Sequence, residues 1–387
     1  MDQGVGGRRL KIAQLIAGDP AWGDVTLDAL NARGLGGRET AIVKLAEQWA
    51  IQGHHVQCFV PVEKPYSDLF PSGGRIEWTP WKAAQVYLTT GEYDVLVSWE
   101  YPNAMNWDNV ADRIPCRLVG MQVAHIFMEP EWDELISGYV VLSKWAGDFL
   151  IDQTQGAMSW DKMWAIPNGV DLTRYGKPTI DPTRRNSDLF FYSSSPDRGL
   201  HHLLRLWPRF RHEVAPRAEL HVAYGLSRWV NGTKWSHSMQ GDIAVEIAHR
   251  IKTTEGVVNQ GSMKQSALAI LQQQAALLPY TADTMQATET GCITITEAMA
   301  AGCPVVTTDC DCIPSEYGHI ARIVPLPFDE DRFLETMEQV LIDPALYTGM
   351  QEAGFRLAEE RQWQNTAQQW LRVMDMILSS TAATSAR

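Results

Sequence analysis

Two acids, Glu289 and Glu297, bracket a run of small, apolar and hydroxylated residues in ETGCITITEAMAAGCPVVTTD. Glu289 comes a few residues after the apolar run AALLPY, which reads as a strand, and Glu297 falls in the first turns of a short helix. The amides at the amino end of that helix, around Gly291, Cys292 and Ile293, lack intrahelical partners and favour an anion. A phosphate held there has a carboxylate on either side, each able to accept hydrogen bonds from hydroxyls. A nucleotide-sugar distributes its groups in that way, with ribose at one end, sugar at the other and a diphosphate between. The same spacing is also met by less: Glu297 as a first-turn charge worth about 0.3–1 kcal/mol and Glu289 as a solvated loop residue.

Other residues pose smaller questions. Glu100 ends the apolar run YDVLVSWE, where it reads equally as an acid facing an acceptor and as a solvated loop charge. Glu129 and Glu131 in FMEPEWDE read as part of a solvated face. Four of the six cysteines fall in residues 292–312, but Cys310-Asp-Cys312 has one intervening residue where zinc sites use two to four, so small core or loop thiols are expected and no metal. Asp309-Cys-Asp311 directly follows a strand-like run and reads as Asp-x-Asp, a metal and nucleotide-diphosphate motif.

Segments that could position these residues alternate along the chain. LKIAQLIAG, HVQCFVP, YDVLVSW, CRLVGMQVAH and GYVVLS read as strands, with ETAIVKLAEQWAIQG as a helix stopping at Gly53. A Pro-rich stretch with an Asn-Gly turn, IPNGVDLTRYGKPTIDPTRRN, interrupts the pattern. It then restarts with strands in DLFFYSSS, AELHVAYG, VVNQG, AALLPY and PVVTTD, and helices in LHHLLRLWPRF, DIAVEIAHRIKTT, QSALAILQQQ and TITEAMAAG. RFLETMEQVLI and a long helix around NTAQQWLRVMDMILSS close the chain, with TAATSAR frayed. Near-continuous apolar strands between helices indicate parallel sheets covered on both faces. The expected fold is therefore α/β: two Rossmann-like, doubly wound domains facing each other across a cleft. The domains are placed at 1–172 and 188–358, with a linker at 173–187 and a helix at 359–387 packing back on the first domain.

With 387 residues, two cores are expected. A formal charge of −13 without a basic patch argues against nucleic acid. The lack of a long apolar stretch or a signal peptide argues for a cytoplasmic protein with reduced thiols and no transmembrane segment.

The run ETGCITITEAMAAGCPVVTTDCDCIPSE resembles the Glu, seven residues, Glu signature of retaining glycosyltransferases of the two-Rossmann (GT-B) fold, in particular family 4. The resemblance implies that Glu289 contacts the transferred sugar and Glu297 holds ribose hydroxyls. GLGGRETAIVKLAEQWAIQGHHV is similar to the family's glycine loop and first helix, which implies that Gly36 and Gly37 bring amides near the diphosphate or the acceptor. IPNGVDLTRYG resembles the family's crossover between domains, and RQWQNTAQQWLRVMD its closing helix. His125, ending VGMQVAH, sits where many members place a histidine facing the sugar.

Departures bear on the donor. In YSSSPDRGLHHLL the family's cation motif keeps Arg198 at its lysine position but has Ser193 in place of the arginine. Lys264 is a possible substitute, but it reads first as an exposed helical lysine. The expected function is metal-independent, retaining sugar transfer from a nucleotide-diphosphate sugar, used as substrate with no cofactor, to a carbohydrate or other hydroxyl acceptor. The rivals are a metal-dependent Asp-x-Asp glycosyltransferase and a nucleotide-sugar-binding protein that transfers nothing.

Overall fold

The computed structural model describes residues 8–16, 23–123, 126, 128–176, 185–233, 239–283 and 289–385. The chain divides into two compact units. Unit 1 holds Met1–Leu30, Leu35–Asn168 and Trp363–Arg387, and unit 2 holds Asn31–Gly34 and Gly169–Gln362. The first boundary thus falls at Asn168, where the sequence placed it at 172, and the second at Gln362, where the sequence placed it at 358.

In unit 1 the strands are β1 (Lys11–Ile16), β2 (His55–Val60), β3 (Tyr66–Leu69), β4 (Arg75–Pro80), β5 (Val95–Trp99), β6 (Cys116–Gly120), β7 (Gly138–Val141) and β8 (Met163–Ala165). They form one sheet in the order β3-β4-β2-β1-β5-β6-β7-β8. Every residue of β5, VLVSW, is buried, as a parallel strand covered on both faces requires. The antiparallel β3–β4 pair was not foreseen. Its sequences YSDL and RIEWTP are too polar to read as buried strands, because β3 is an edge strand whose residues alternate between half-buried and exposed. One buried polar group in the sheet is fully accounted for: the Gln14 amide donates to the Ile42 carbonyl, and its Oε1 accepts the Trp99 indole N–H at 2.8 Å.

The helix Gly37–Ile51 follows β1, and the last helix, Trp363–Ser385, belongs to the same unit. Trp370 from the last helix packs on Trp99 at 5.3 Å and edge-on to Trp49 at 6.0 Å, while the Trp49 N–H donates to the Ala367 carbonyl. The helix runs to Ser385, so TAATS is helical where fraying was expected.

In unit 2 the strands are β9 (Asn186–Tyr192), β10 (Glu219–Val222), β11 (Val257–Asn259), β12 (Ala275–Tyr280), β13 (Val305–Thr308) and β14 (Arg322–Val324), ordered β11-β10-β9-β12-β13-β14 and parallel throughout. The core is aromatic around Phe190, which meets Trp207 and Phe210 edge-on at 5.5 and 5.0 Å. The helix Leu200–Glu213 keeps its course through Pro208. Strand β14 and the helix Pro344–Glu360 were not marked in the sequence. The strand is only three residues long, and the helix lies between two runs that were.

Each sheet has a point where the strand order reverses. From β1 the chain moves outward through β2 and β4 and returns to β5 on the other side. From β9 it moves outward through β10 and β11 and returns to β12. Open parallel sheets bind ligands at the carboxyl ends of the strands that flank such a reversal.

Candidate functional site

The unit 2 reversal gathers most of the residues singled out in the sequence. After β9 the chain runs through Ser193 to Arg198 and enters the helix Leu200–Glu213 by way of Gly199. Gly199 has φ +79°, and a Cβ there would lie 1.7 Å from the Thr281 carbonyl oxygen, so only glycine lets the two strand-end segments approach this closely. The Thr281 hydroxyl donates to the Gly199 carbonyl at 2.7 Å, completing the clasp.

Across this clasp Arg198 Nε meets Glu289 Oε1 at 2.9 Å. The Tyr280 hydroxyl, the last residue of β12, donates to the same oxygen at 2.7 Å. The Glu289 side chain is 6% exposed and that of Arg198 19%, so the pair is largely withdrawn from water. Burial works against the Arg198 cation, but Glu289 and Asp197 outweigh it and hold its pKa above the ordinary value. Asp197 takes Arg198 Nη1 at 2.9 Å. Among the described residues these contacts engage two of the five N–H donors of the Arg198 guanidinium. The Ser194 and Tyr280 hydroxyls lie 3.0 Å apart, and the Thr294 hydroxyl donates to the Ser193 carbonyl at 3.2 Å.

Glu289 leads directly into Gly291, Cys292 and the helix Ile293–Ala300, whose N-cap residue Cys292 makes no side-chain cap bond. The amino end of this helix therefore stands next to the Arg198–Glu289 pair. All six cysteines are free and buried, with Cys292 driven well above its ordinary pKa by burial and by the Glu289 charge. Asp309 and Asp311 are committed to the backbone: Asp309 Oδ1 accepts the Leu326 N–H at 2.7 Å, and Asp311 Oδ2 accepts the Glu289 N–H at 3.0 Å. Among the described residues no three His, Cys, Asp or Glu side chains are grouped to hold a metal ion.

Glu297 falls within the first two turns of its helix, as expected. It is the fifth residue of its helix, with Oε1 3.4 Å from Arg174 Nη1 and Oε2 3.4 Å from Gln272 Nε2. Burial raises its pKa above the usual carboxylate range, and the Arg174 cation and the Gln272 amide oppose that rise. Lys264 is exposed at the N-cap of the helix Gln265–Gln274.

Residues 183–357 match the family model for glycosyl transferases group 1, entirely within unit 2. Unit 2 carries a group 1 glycosyl transferase domain. No curated protein sequence matches the chain. Among solved structures the chain is similar to AviGT4, a glycosyltransferase involved in avilamycin A biosynthesis (18% identity, TM-score 0.66, 96% of this chain and 98% of that one). It is also similar to sucrose-phosphate synthase from Thermosynechococcus elongatus (17%, 0.67, 96% and 100%). A third is Anabaena HepE in complex with UDP and glucose (16%, 0.64, 95% and 100%). Together with the two parallel-sheet units, these likenesses show the GT-B fold.

Outside the glycosyl transferase domain, unit 1 places its own candidates at its own reversal. Gly36 is the N-cap and Gly37 the first residue of the helix Gly37–Ile51. Arg38 Nη1 meets Glu100 Oε2 at 2.9 Å, and Glu100 Oε1 accepts the Gln122 N–H at 3.2 Å. Glu100 adopts φ +57°, a left-handed conformation uncommon for a side chain of its size. Burial raises its pKa and Arg38 opposes the rise. His125 lies outside the described residues. Several residues with a place in these networks escaped the sequence reading, among them Tyr280, Arg174 and Arg38. Tyr280 was visible only as the last letter of AALLPY, and Arg174 as part of the quoted crossover run.

Proposed function

We propose that the protein transfers a sugar from a nucleoside-diphosphate sugar to a hydroxyl acceptor with retention of anomeric configuration and without a metal ion. The single observation that carries this reading is the Arg198–Glu289 pair, set at the β9/β12 reversal beside the amino end of the helix Ile293–Ala300. Departure of a diphosphate leaves negative charge on the leaving group while the sugar carbon becomes positive. The remaining Arg198 donors and the helix amides stabilise the first charge. Glu289 orients the sugar: Tyr280 and Arg198 both hold Oε1, so Oε2 is the oxygen that takes a sugar hydroxyl. The diphosphate oxygen itself takes the acceptor's proton, which leaves no covalent role for Glu289. Glu297, one helical stretch further on, accepts ribose hydroxyls. HepE, bound to UDP and glucose, supports a nucleotide-sugar donor, and the backbone commitments of Asp309 and Asp311 support metal independence.

Donor specificity is found first by thermal shift against UDP-, GDP-, ADP- and TDP-sugars. Glu289→Gln and Arg198→Ala are then each expected to lower transfer by more than tenfold, about 1.4 kcal/mol or more in the barrier, in protein that remains folded. Wild-type rates from either variant would overturn the assignment. Activity that disappears with EDTA would replace it with a metal-dependent transfer, and an inverted anomeric signal in the product would remove retention.

Ser193, where an arginine was expected, favours a second reading as a sugar-nucleotide-binding protein. Calorimetric donor binding without product or donor hydrolysis for any acceptor is the result that would select it.

A further inference from the structure

The crossover segment Gly169–Gly176 is more than a connector. Around its half-turn Leu172–Arg174, Val170, Leu172 and Tyr175 pack with Ala269 on the helix Gln265–Gln274 and with Ala300 and Ala301 at the end of the helix that carries Glu297. The Tyr175 hydroxyl donates to Gln272 Oε1 at 2.8 Å, and the other end of that amide reaches Glu297 Oε2. The Gln273 amide donates to the Tyr175 carbonyl at 2.6 Å. Asp171 anchors the segment by accepting the Thr173 N–H and hydroxyl and by lying 3.5 Å from Arg174 Nε. The Arg174 and Glu297 side chains are each only 12% exposed.

The Glu297 contacts are long. At 3.4 Å both exceed the roughly 2.7–2.9 Å of a tight charge-assisted bond, and a carboxylate has about four acceptor positions, of which these use two. Glu297 is thus held in place without being saturated. Arg174 Nη2 is buried with no hydrogen-bond partner among the described residues, so within them this arginine is not saturated either.

We infer that Arg174 is a positioning residue for nucleotide recognition: from the crossover segment it holds the Glu297 carboxylate in place to accept the hydroxyl hydrogens of a ribose. This rests on the reading of Glu297 as the ribose acid. The electrostatics agree with the geometry, since burial pushes Glu297 towards its neutral form and Arg174 opposes it. A neutral carboxyl loses acceptor capacity and half of its match to a diol. The charged and titratable groups facing Glu297 are Arg174, Asp171 and Tyr175.

The test is calorimetry with UDP, GDP and ADP and their 2′-deoxy forms on wild type, Arg174→Met, Arg174→Lys, Glu297→Gln and the Arg174→Met/Glu297→Gln double variant. Wild type is expected to prefer the ribonucleotide of its tightest base by about tenfold, the factor carried by about 1.4 kcal/mol of hydrogen bonding. Arg174→Met should lose most of that preference at pH 6 and regain part of it at pH 8.5, with deoxynucleotide affinity within twofold of wild type. In the Glu297→Gln background Arg174→Met should change nothing further. Arg174→Lys, which keeps the charge and the fold, should lie between. An Arg174→Met protein with the full ribose preference, or one that loses ribo- and deoxynucleotides equally, overturns the positioning role alone. Should Arg174→Met not fold, an Arg174→Lys protein with unchanged preference overturns it instead. A wild type that binds nucleotides without ribose preference overturns the Glu297 reading and the inference with it.

Discussion

Both sheets place an arginine–glutamate pair at the point where strand order reverses, and the pairs are built to different ends. In each unit the arginine follows the first strand of the reversal and the glutamate follows the strand on its other side, with 2.9 Å between them: Arg38 and Glu100 in unit 1, Arg198 and Glu289 in unit 2. Topology alone brings such groups together, because the carboxyl ends of neighbouring parallel strands open on one crevice. The surroundings then separate them. Glu100 is tied through both oxygens, to Arg38 and to the Gln122 amide, on a left-handed backbone. Glu289 takes both its tyrosine and its arginine on one oxygen and leads into the start of a helix. Unit 1 sets its acid on an uncommon left-handed backbone, and unit 2 gathers both partners of its acid on one oxygen.

The contrast can be pressed from the largest effect down. Trp370→Ala removes the ring that covers Trp49 and Trp99 and should cost unit 1 about 3–5 kcal/mol. Hydrogen exchange should quicken in β1, β2 and β5 and stay unchanged in β9 and β12. Equal quickening in both sheets would show that the units are not energetically separable. Gly199→Ala strikes the unit 2 reversal, combining a left-handed backbone with a clash at the Thr281 carbonyl. A loss of about 1–3 kcal/mol in urea unfolding is expected, with weakened donor binding. An unaltered midpoint would mean that the clasp yields easily.

Glu100→Gln tests the other pair. Losing a charge-assisted bond of about 1.5 kcal/mol should raise the acceptor KM by about tenfold and leave donor affinity as it was. A change in donor affinity instead would assign both pairs to the same ligand. The smallest effect concerns His201, whose pKa is pushed down to about 4 by burial first and then by the neighbouring His202 and Arg205. A folded state that resists protonation is favoured while the unfolded imidazole is neutral. The stability from this residue is therefore intact above about pH 6.5 and is lost as pH falls through 4. Urea midpoints at pH 7, 5 and 4 should fall less steeply for His201→Gln, and parallel profiles would remove His201 from the account.

Legibility differed between the two units for physical reasons. The buried parallel strands were plain, since covering both faces forces continuous apolar runs such as VLVSW and AALLPY. The edge pair β3–β4 was not, because exposure frees an edge strand from that pattern. In unit 2, Glu289, Arg198 and the helix start between them could be named from one contiguous motif and one nearby loop. What the sequence could not supply was direction. Glu297 shares the motif with Glu289, yet its helical position turns it towards Arg174 and Gln272, on segments distant along the chain. Nothing local in unit 1 signalled that Glu100 would meet Arg38, since that contact depends on two elements separated by three strands.

The last helix also has a bearing on how the molecule is made. Trp363–Ser385 completes a unit whose strands were all synthesised before the main stretch of unit 2, Gly169–Gln362. Until it leaves the ribosome, the face that Trp370 later covers on Trp49 and Trp99 has no protein partner. Nascent chains arrested before residue 363 are therefore expected to need a chaperone for unit 1 while unit 2 is already protease-resistant. A stop codon within this helix would act as a folding lesion in a unit whose strands lie some two hundred residues earlier in the chain.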